Sequence, residues 1–209
     1  QLCRSFFGRF LAPNSIVGCG IEMAPEAEWS GVKAKYELPD EYVLYLGRVS
    51  KAKVDKLLPY FLRCKAKYGG DAKLVLVGGF ENEIRKFDSP DILFTGYVSD
   101  EEKTAIVRHA TVMVNPSPME SLSLLMLEGM QSRIPLLVNG RSKVMKDHCR
   151  LSGAGLWYNN GRDFRKKLHR LLSDPELRRT MSEKGSAYVR EHYDWEIIIP
   201  KLRTLIESI

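Results

Sequence analysis

Tyr42-Val-Leu-Tyr-Leu46 closed by Gly47, then Val54 to Tyr68, then Lys73-Leu-Val-Leu-Val77 closed by Gly78-Gly79, is the stretch from which the fold follows. Each five-residue run is apolar or β-branched and stops at glycine, as a strand does. Between them Leu57, Leu58, Phe61 and Leu62 recur at helical spacing. Strand, amphipathic helix, strand is the signature of a parallel sheet wrapped by helices, and the rhythm continues down the chain. Ile92-Leu-Phe94, Thr111-Val-Met-Val114 and Pro135-Leu-Leu-Val138 read as further strands, with Gly155-Leu-Trp-Tyr158 a candidate sixth. A short helix is expected over Glu81 to Lys86, one after the Ser99/Glu102 capping box, and one from about Ser121 to Ser132. Phe164, Leu168, Leu171 and Leu172 share another helix face, Pro175 opens the next helix, and Pro200 should kink the last segment, Asp194 to Ile209. The expected fold class is α/β: a Rossmann-like domain over residues 41–209, with a parallel sheet of about six strands and helices on both faces. Residues 1–40 break the rhythm with Pro13, Gly18, Gly20, Pro25, Gly31 and Pro39, and read as an interdomain linker or the remnant of another domain.

Composition narrows the function classes. A chain of 209 residues that is 44% hydrophobic can bury one substantial core. No apolar run approaches the roughly 20 residues of a membrane span, and no signal-peptide pattern opens the chain, so a soluble cytoplasmic protein is expected. Cys3, Cys19, Cys64 and Cys149 are widely separated and carry no zinc spacing, so free thiols and no metal are expected. The net charge of +6 would suit nucleic acid, anionic lipid or a phosphorylated ligand. The basic stretches Arg141 to Arg150, Arg162 to Arg170 and Lys184 to Arg190 alternate with apolar residues as solvated helix faces do, without interleaved exposed aromatics, so no nucleic-acid partner is expected.

Ligands of an open parallel sheet bind at the carboxyl ends of the strands, so the loops after Leu46, Val77, Phe94, Val114 and Val138 are the place to look. After the fourth strand, Asn115-Pro-Ser-Pro-Met-Glu-Ser-Leu-Ser-Leu-Leu-Met-Leu-Glu128 places a helix N-terminus at a strand end. The backbone N–H groups of Ser121, Leu122, Ser123, Leu124 and Leu125 would favour a phosphate there. Glu120 and Glu128, the latter expected about two turns into the helix, are suited to hydroxyls of hexose and ribose. After the first strand, Gly47-Arg48 and Lys53 bring a guanidinium and an ammonium to the same edge, enough to neutralise a leaving diphosphate without a metal. Taken singly, Glu128 could be a helix-dipole residue and Arg48 and Lys53 a solvated first turn. Their joint position at strand ends argues for a site.

These residues also carry a resemblance. Glu120 to Glu128, with seven residues between them, resembles the E-x7-E motif of retaining family 4 glycosyltransferases. Tyr45-Leu-Gly-Arg48 with Lys53 resembles that family's G-R-x4-K pair, and Phe94-Thr-Gly-Tyr-Val-Ser-Asp100 resembles its F-x-G-x-V-s-d loop. Val138-Asn-Gly and Tyr193-Asp-Trp195 are similar as well, so the match spans roughly residues 42 to 196. The resemblance implies the C-terminal, nucleotide-sugar-binding half of a GT-B-fold hexosyltransferase. Arg48 and Lys53 would contact the diphosphate, the 121–125 amides the distal phosphate, Glu128 the ribose, and Glu120 the donor sugar. The backbone at Val98, with Gly79 and Lys103 nearby, would meet the base. No cofactor is implied, the donor being a nucleotide diphosphate sugar used without a metal.

The chain departs from the family pattern in three places. Val54 stands where the family has glycine after the lysine, and Arg133-Ile134 precede Pro135 where a glycine is common. By the resemblance, the family's acceptor-binding N-terminal domain is not expected within these residues, and Ser15-Ile-Val-Gly-Cys-Gly-Ile21 resembles the interdomain connection. Donor binding with little or no transfer is therefore expected of this chain alone, and peripheral membrane contact stays open for the full-length enzyme. The alternatives are half of a nucleotide-sugar 2-epimerase and a non-catalytic nucleotide-sugar-binding module. A dinucleotide oxidoreductase is disfavoured, since no G-x-G-x-x-G follows the first strand.

Overall fold

The computed structural model describes residues 18–79 and 89–207. In chain order the elements are α1 (Trp29–Lys35), β1 (Tyr42–Leu46), α2 (Lys51–Val54), α3 (Leu57–Tyr68), β2 (Lys73–Val77), β3 (Ile92–Gly96), α4 (Asp100–Arg108) and β4 (Val112–Asn115). They continue with α5 (Leu124–Gln131), β5 (Leu136–Asn139), α6 (Lys143–Ser152), β6 (Gly155–Tyr158), α7 (Gly161–Ser173), α8 (Pro175–Tyr193) and α9 (Trp195–Glu207). The expected helix over 81–86 lies outside the described residues, as does Cys3; Cys19, Cys64 and Cys149 are free thiols. Among the described residues no helix is long and apolar enough to cross a membrane.

The six strands pair in parallel, in the order β3-β2-β1-β4-β5-β6. This is the doubly wound Rossmann order, in which winding runs outward from the centre in both directions. Strand periodicity sorts the core. Tyr42 and Leu44 of β1 face one cluster with Val75, Met113, Leu136 and residues of α4, α5, α6 and α8. Val43 and Tyr45 face the opposite cluster with Leu74, Val112, Leu137, Phe61 of α3 and Phe164 of α7. Both faces of the sheet are thus covered, as a parallel sheet requires. Phe164, Leu168 and Leu171 are fully buried, each such side chain contributing about 1.5–3 kcal/mol.

Helix boundaries differ from the sequence reading, each for a local reason. The helix read from Val54 divides into α2 and α3, the second starting at Leu57. That start puts Pro59 in the first turn, where its missing N–H has no intrahelical partner to lose. The helix read from Ser121 begins only at Leu124, because the loop before it is held by side chains. Ser117 N–H donates to Asn115 Oδ1 (3.0 Å), and Asn115 Nδ2 donates to Ser123 Oγ (3.0 Å). Ser121, Leu122 and Ser123 therefore precede the helix, and Glu128 sits just over one turn in, not two.

The Ser99/Glu102 capping box forms as expected, with Ser99 Oγ accepting from Glu102 N–H (3.2 Å) and Glu102 Oε2 from Ser99 N–H (3.0 Å). Pro175 opens α8, and Pro200 lies inside α9, which continues through it. The described part of 1–40 contains α1, which the sequence reading did not place. Glu28 caps it, its carboxylate accepting from Ser30 N–H (2.9 Å) and Gly31 N–H (2.7 Å). Val32 and Leu38 are buried in the core, and Lys35 pairs with Glu102 at 2.6 Å. Gly31 inside it, with Pro25 and Pro39 on either side, hides so short a helix from periodicity.

Candidate functional site

Winding reverses between β1 and β4, leaving a crevice at their carboxyl ends. A cavity of ≈ 260 Å³ occupies it, lined by Tyr45, Leu46 and Gly47 from β1 and its loop, by Asn115, Pro116 and Ser117 after β4, and by Lys53, Glu120 and Leu122 to Leu125. Of the residues singled out in the sequence, the structure brings Gly47, Lys53, Glu120, Leu122, Ser123, Leu124 and Leu125 together here.

The floor is backbone. Gly47 and Gly78 have φ of 133° and 130°, a region other residues rarely adopt. A Cβ on Gly78 would sit 2.3 Å from the Gly47 carbonyl oxygen. The two loops therefore leave β1 and β2 side by side, joined by Gly47 N–H to Val77 O and Val49 N–H to Gly79 O, both 2.9 Å.

The wall opposite is the N-terminus of α5. Ser123 is its N-cap and is buried, but its hydroxyl is engaged by Asn115, so it caps nothing. Its carbonyl accepts from Met126 and Leu127 N–H. Among the described residues Leu124 and Leu125 N–H have no partner, and both residues line the cavity. Two free amides at the positive end of an eight-residue helix make a place for an anion. Lys53 adds a full positive charge.

Tyr45 is the residue that sequence reading missed. Its phenol donates to the Arg48 carbonyl oxygen (2.8 Å) and so fixes the loop after β1. Burial first, then the negative charge of Glu120, pushes the phenol up to about 12, so it stays a donor at neutral pH. The available signal was its place next to last in a strand, where a buried ring can reach the loop with its polar tip. Asn115 and Ser117, which shape the 115–123 loop, were likewise unassigned.

The remaining candidates lie around this cavity without lining it. Arg48 is exposed, Val98 is half-buried against the core, and Gly79 joins the loops as described. Ser121 is exposed before the helix. Lys103 Nζ lies 3.5 Å from Glu128 Oε1 and 3.4 Å from Asp100 Oδ1, tying α4 to α5. Glu128 Oε2 is buried and has no hydrogen-bond partner among the described residues. A buried carboxylate oxygen left unpaired is costly, and it invites a hydroxyl donor.

Comparison with known proteins identifies the family and the fold. Residues 31–188 match the family described as Glycosyl transferases group 1. The chain is 29% identical over 175 residues to alpha-D-kanosaminyltransferase of Streptomyces kanamyceticus, covering 77% of this chain and 44% of that protein. It is 26% identical over 132 residues to glycosyltransferase 1 domain-containing protein 1 of Xenopus tropicalis, covering 62% and 36%. The chain thus spans less than half the length of these relatives. Among solved structures it is similar to sucrose-phosphate synthase of Thermosynechococcus elongatus, with TM-score 0.76 and 20% identity over 99% of this chain and 55% of that one. It is also similar to Anabaena HepE in complex with UDP (TM-score 0.72, 12% identity, 86% and 52%). A third is the C-terminal domain of a group 1 glycosyl transferase of Francisella tularensis (TM-score 0.66, 19% identity, 82% and 95%).

Proposed function

The chain belongs to the group 1 glycosyl transferases, and on that premise we propose that it is the donor-binding domain of a retaining, metal-independent hexosyltransferase of family 4. The acceptor-binding domain would lie in the rest of a longer protein. The observation that carries the reading is the crevice between β1 and β4, where Lys53 and the unpaired Leu124 and Leu125 amides face Glu120 across one cavity. Positive groups suited to a diphosphate and a carboxylate suited to sugar hydroxyls line the same cavity. The chain's partial coverage of its relatives and its near-complete coverage of an isolated C-terminal domain support the half-enzyme reading.

In this reading the diphosphate lies against the α5 N-terminus. Lys53 and Arg48, the latter swinging in from its exposed position, neutralise it as the bond from the anomeric carbon to the phosphate oxygen breaks. Glu120 holds the donor sugar's hydroxyls, Glu128 those of the ribose, and the backbone near Val98 and Gly79 meets the base. The acceptor oxygen bonds to the anomeric carbon on the face the diphosphate leaves, and its proton passes to the departing phosphate oxygen.

Titration of the purified chain with UDP, GDP and ADP by calorimetry tests the reading. One nucleotide should bind, and Lys53→Ala should weaken it about tenfold. Absence of binding by all three, or binding indifferent to Lys53→Ala, would overturn it.

A further inference from the structure

A second cavity, larger at ≈ 490 Å³, opens beside the loops after β4, β5 and β6. It shares Lys53 and Pro116 with the first, so the two are neighbours across one lysine. Its chemistry differs from that of the crevice. Lys56, from the turn after α2, and Arg141, from the loop after β5, line it together with Lys53. Lys51 lines it as well and has an interaction of its own; among the described residues Lys53, Lys56 and Arg141 form no ion pair, and Asp55 is the one carboxylate in the lining.

Two of the lining amides, Asn139 and Asn160, are committed elsewhere. Asn139 Nδ2 donates to Pro116 O (2.9 Å) while its Oδ1 accepts from Arg141 N–H (3.1 Å), fixing the loop that presents Arg141. Asn160 Oδ1 caps α7, accepting from Arg162 and Asp163 N–H at 3.0 Å each. The loops carrying these amides are therefore held from within, while Lys53, Lys56 and Arg141 have no ion-pair partner among the described residues. Cations gathered on one wall repel one another, and an anion relieves that repulsion most when it carries two charges. The Tyr60 hydroxyl and the Asn159 carboxamide stand in the same lining, with the Tyr60 ring held edge-on to Tyr158 at 6.4 Å. Their side-chain polar atoms have no hydrogen bond among the described residues and suit alcohol groups.

We propose that this second cavity binds a small phosphate monoester bearing hydroxyl groups, a sugar phosphate, at the same time as the nucleotide occupies the crevice. Lys56 and Arg141 hold the phosphate, and Tyr60 and Asn159 read the hydroxyls. Lys53 stands between the two anions.

Calorimetric titration of the full chain with glucose 6-phosphate, glucose and inorganic phosphate, with and without UDP, tests this. Lys56 and Arg141 are exposed, so Lys56→Ala and Arg141→Ala leave the fold intact. Glucose 6-phosphate should bind, glucose should not, and inorganic phosphate should bind about tenfold more weakly. Each substitution should weaken glucose 6-phosphate about tenfold and leave UDP within about twofold. The proposal is overturned if glucose 6-phosphate does not bind, if inorganic phosphate binds equally well, if neither substitution matters, or if saturating UDP displaces the sugar phosphate. Should UDP, GDP and ADP all fail to bind, the donor reading falls, and the titrations of the two variants still decide this one; should GDP or ADP be the one that binds, it takes the place of UDP in these titrations.

Discussion

Replacing Glu128 with methionine should stabilise the empty chain and weaken the nucleotide-bound one, two effects that a purely structural glutamate would not produce together. The magnitudes come from the two oxygens. Oε2 is buried without a partner, a situation that costs about 1–3 kcal/mol. Oε1 lies 3.5 Å from Lys103, a partly exposed pair worth about 0–1 kcal/mol, and Lys103 keeps Asp100 when it is lost. Methionine matches glutamate closely in length and helix propensity, so backbone effects nearly cancel. The balance favours the variant by about 1 kcal/mol, or roughly 2–4 °C in Tm for a chain of this size. On the other side, a ribose hydroxyl bonded to the carboxylate would be lost, about 1.5–3 kcal/mol, or a fall in affinity of about 10- to 150-fold. Differential scanning calorimetry and titration with the nucleotide that binds measure both. A variant that melts lower than the parent and binds nucleotide equally well would refute the reasoning.

Gly78→Ala should lower stability by about 2 kcal/mol or more, since it strains a φ of 130° and drives Cβ to 2.3 Å from the Gly47 carbonyl. Thermal melts should show a drop of at least about 4 °C, and a change within about 1 °C would contradict the geometry. The Glu102 carboxyl is held at about 2, below its ordinary 4.5, chiefly by the hydrogen bond from Lys35 and then by that from Ser99 N–H. The folded state thus binds fewer protons than the unfolded one, so the stabilisation is complete above pH 4.5 and lost as pH falls toward about 2. Melts of the parent and Glu102→Gln should converge across that window, by a small amount because the pair is near the surface. A gap that is unchanged through it would count against the assignment.

The strands of the described sheet were legible because each is a short apolar run ended by glycine, proline or a polar turn. Tyr42 to Leu46 and Lys73 to Val77 have the bounds the sequence suggests. Helix starts were less legible, because they depend on which side chains the loops recruit. Asn115 takes the Ser123 hydroxyl, and no spacing rule reveals that the N-cap serine is thereby diverted and the helix delayed to Leu124. At the site, the motif residues Lys53, Glu120 and Leu122 to Leu125 do converge on one cavity. Arg48 does not line it, since its position depends on side-chain torsions that sequence leaves free. Tyr45 went unread because a core aromatic and a loop-fixing phenol look alike in one dimension; its bond to the Arg48 carbonyl distinguishes them. The second cavity draws on loops after β4, β5 and β6, and only the fold brings Lys56 and Arg141 together.

The glycines that end β1, β2 and β3 all take positive φ, at 133° for Gly47, 130° for Gly78 and 74° for Gly96, and Gly78 N–H donates to Gly96 O at 2.9 Å. They form a level row of pivots from which three neighbouring loops spring. Any amino-acid substitution at these three positions puts a Cβ on a backbone that L side chains rarely adopt, whereas Arg48 and Tyr97, each next to a pivot, are exposed to solvent. The loops that follow can therefore differ in sequence and length while their anchor points stay fixed.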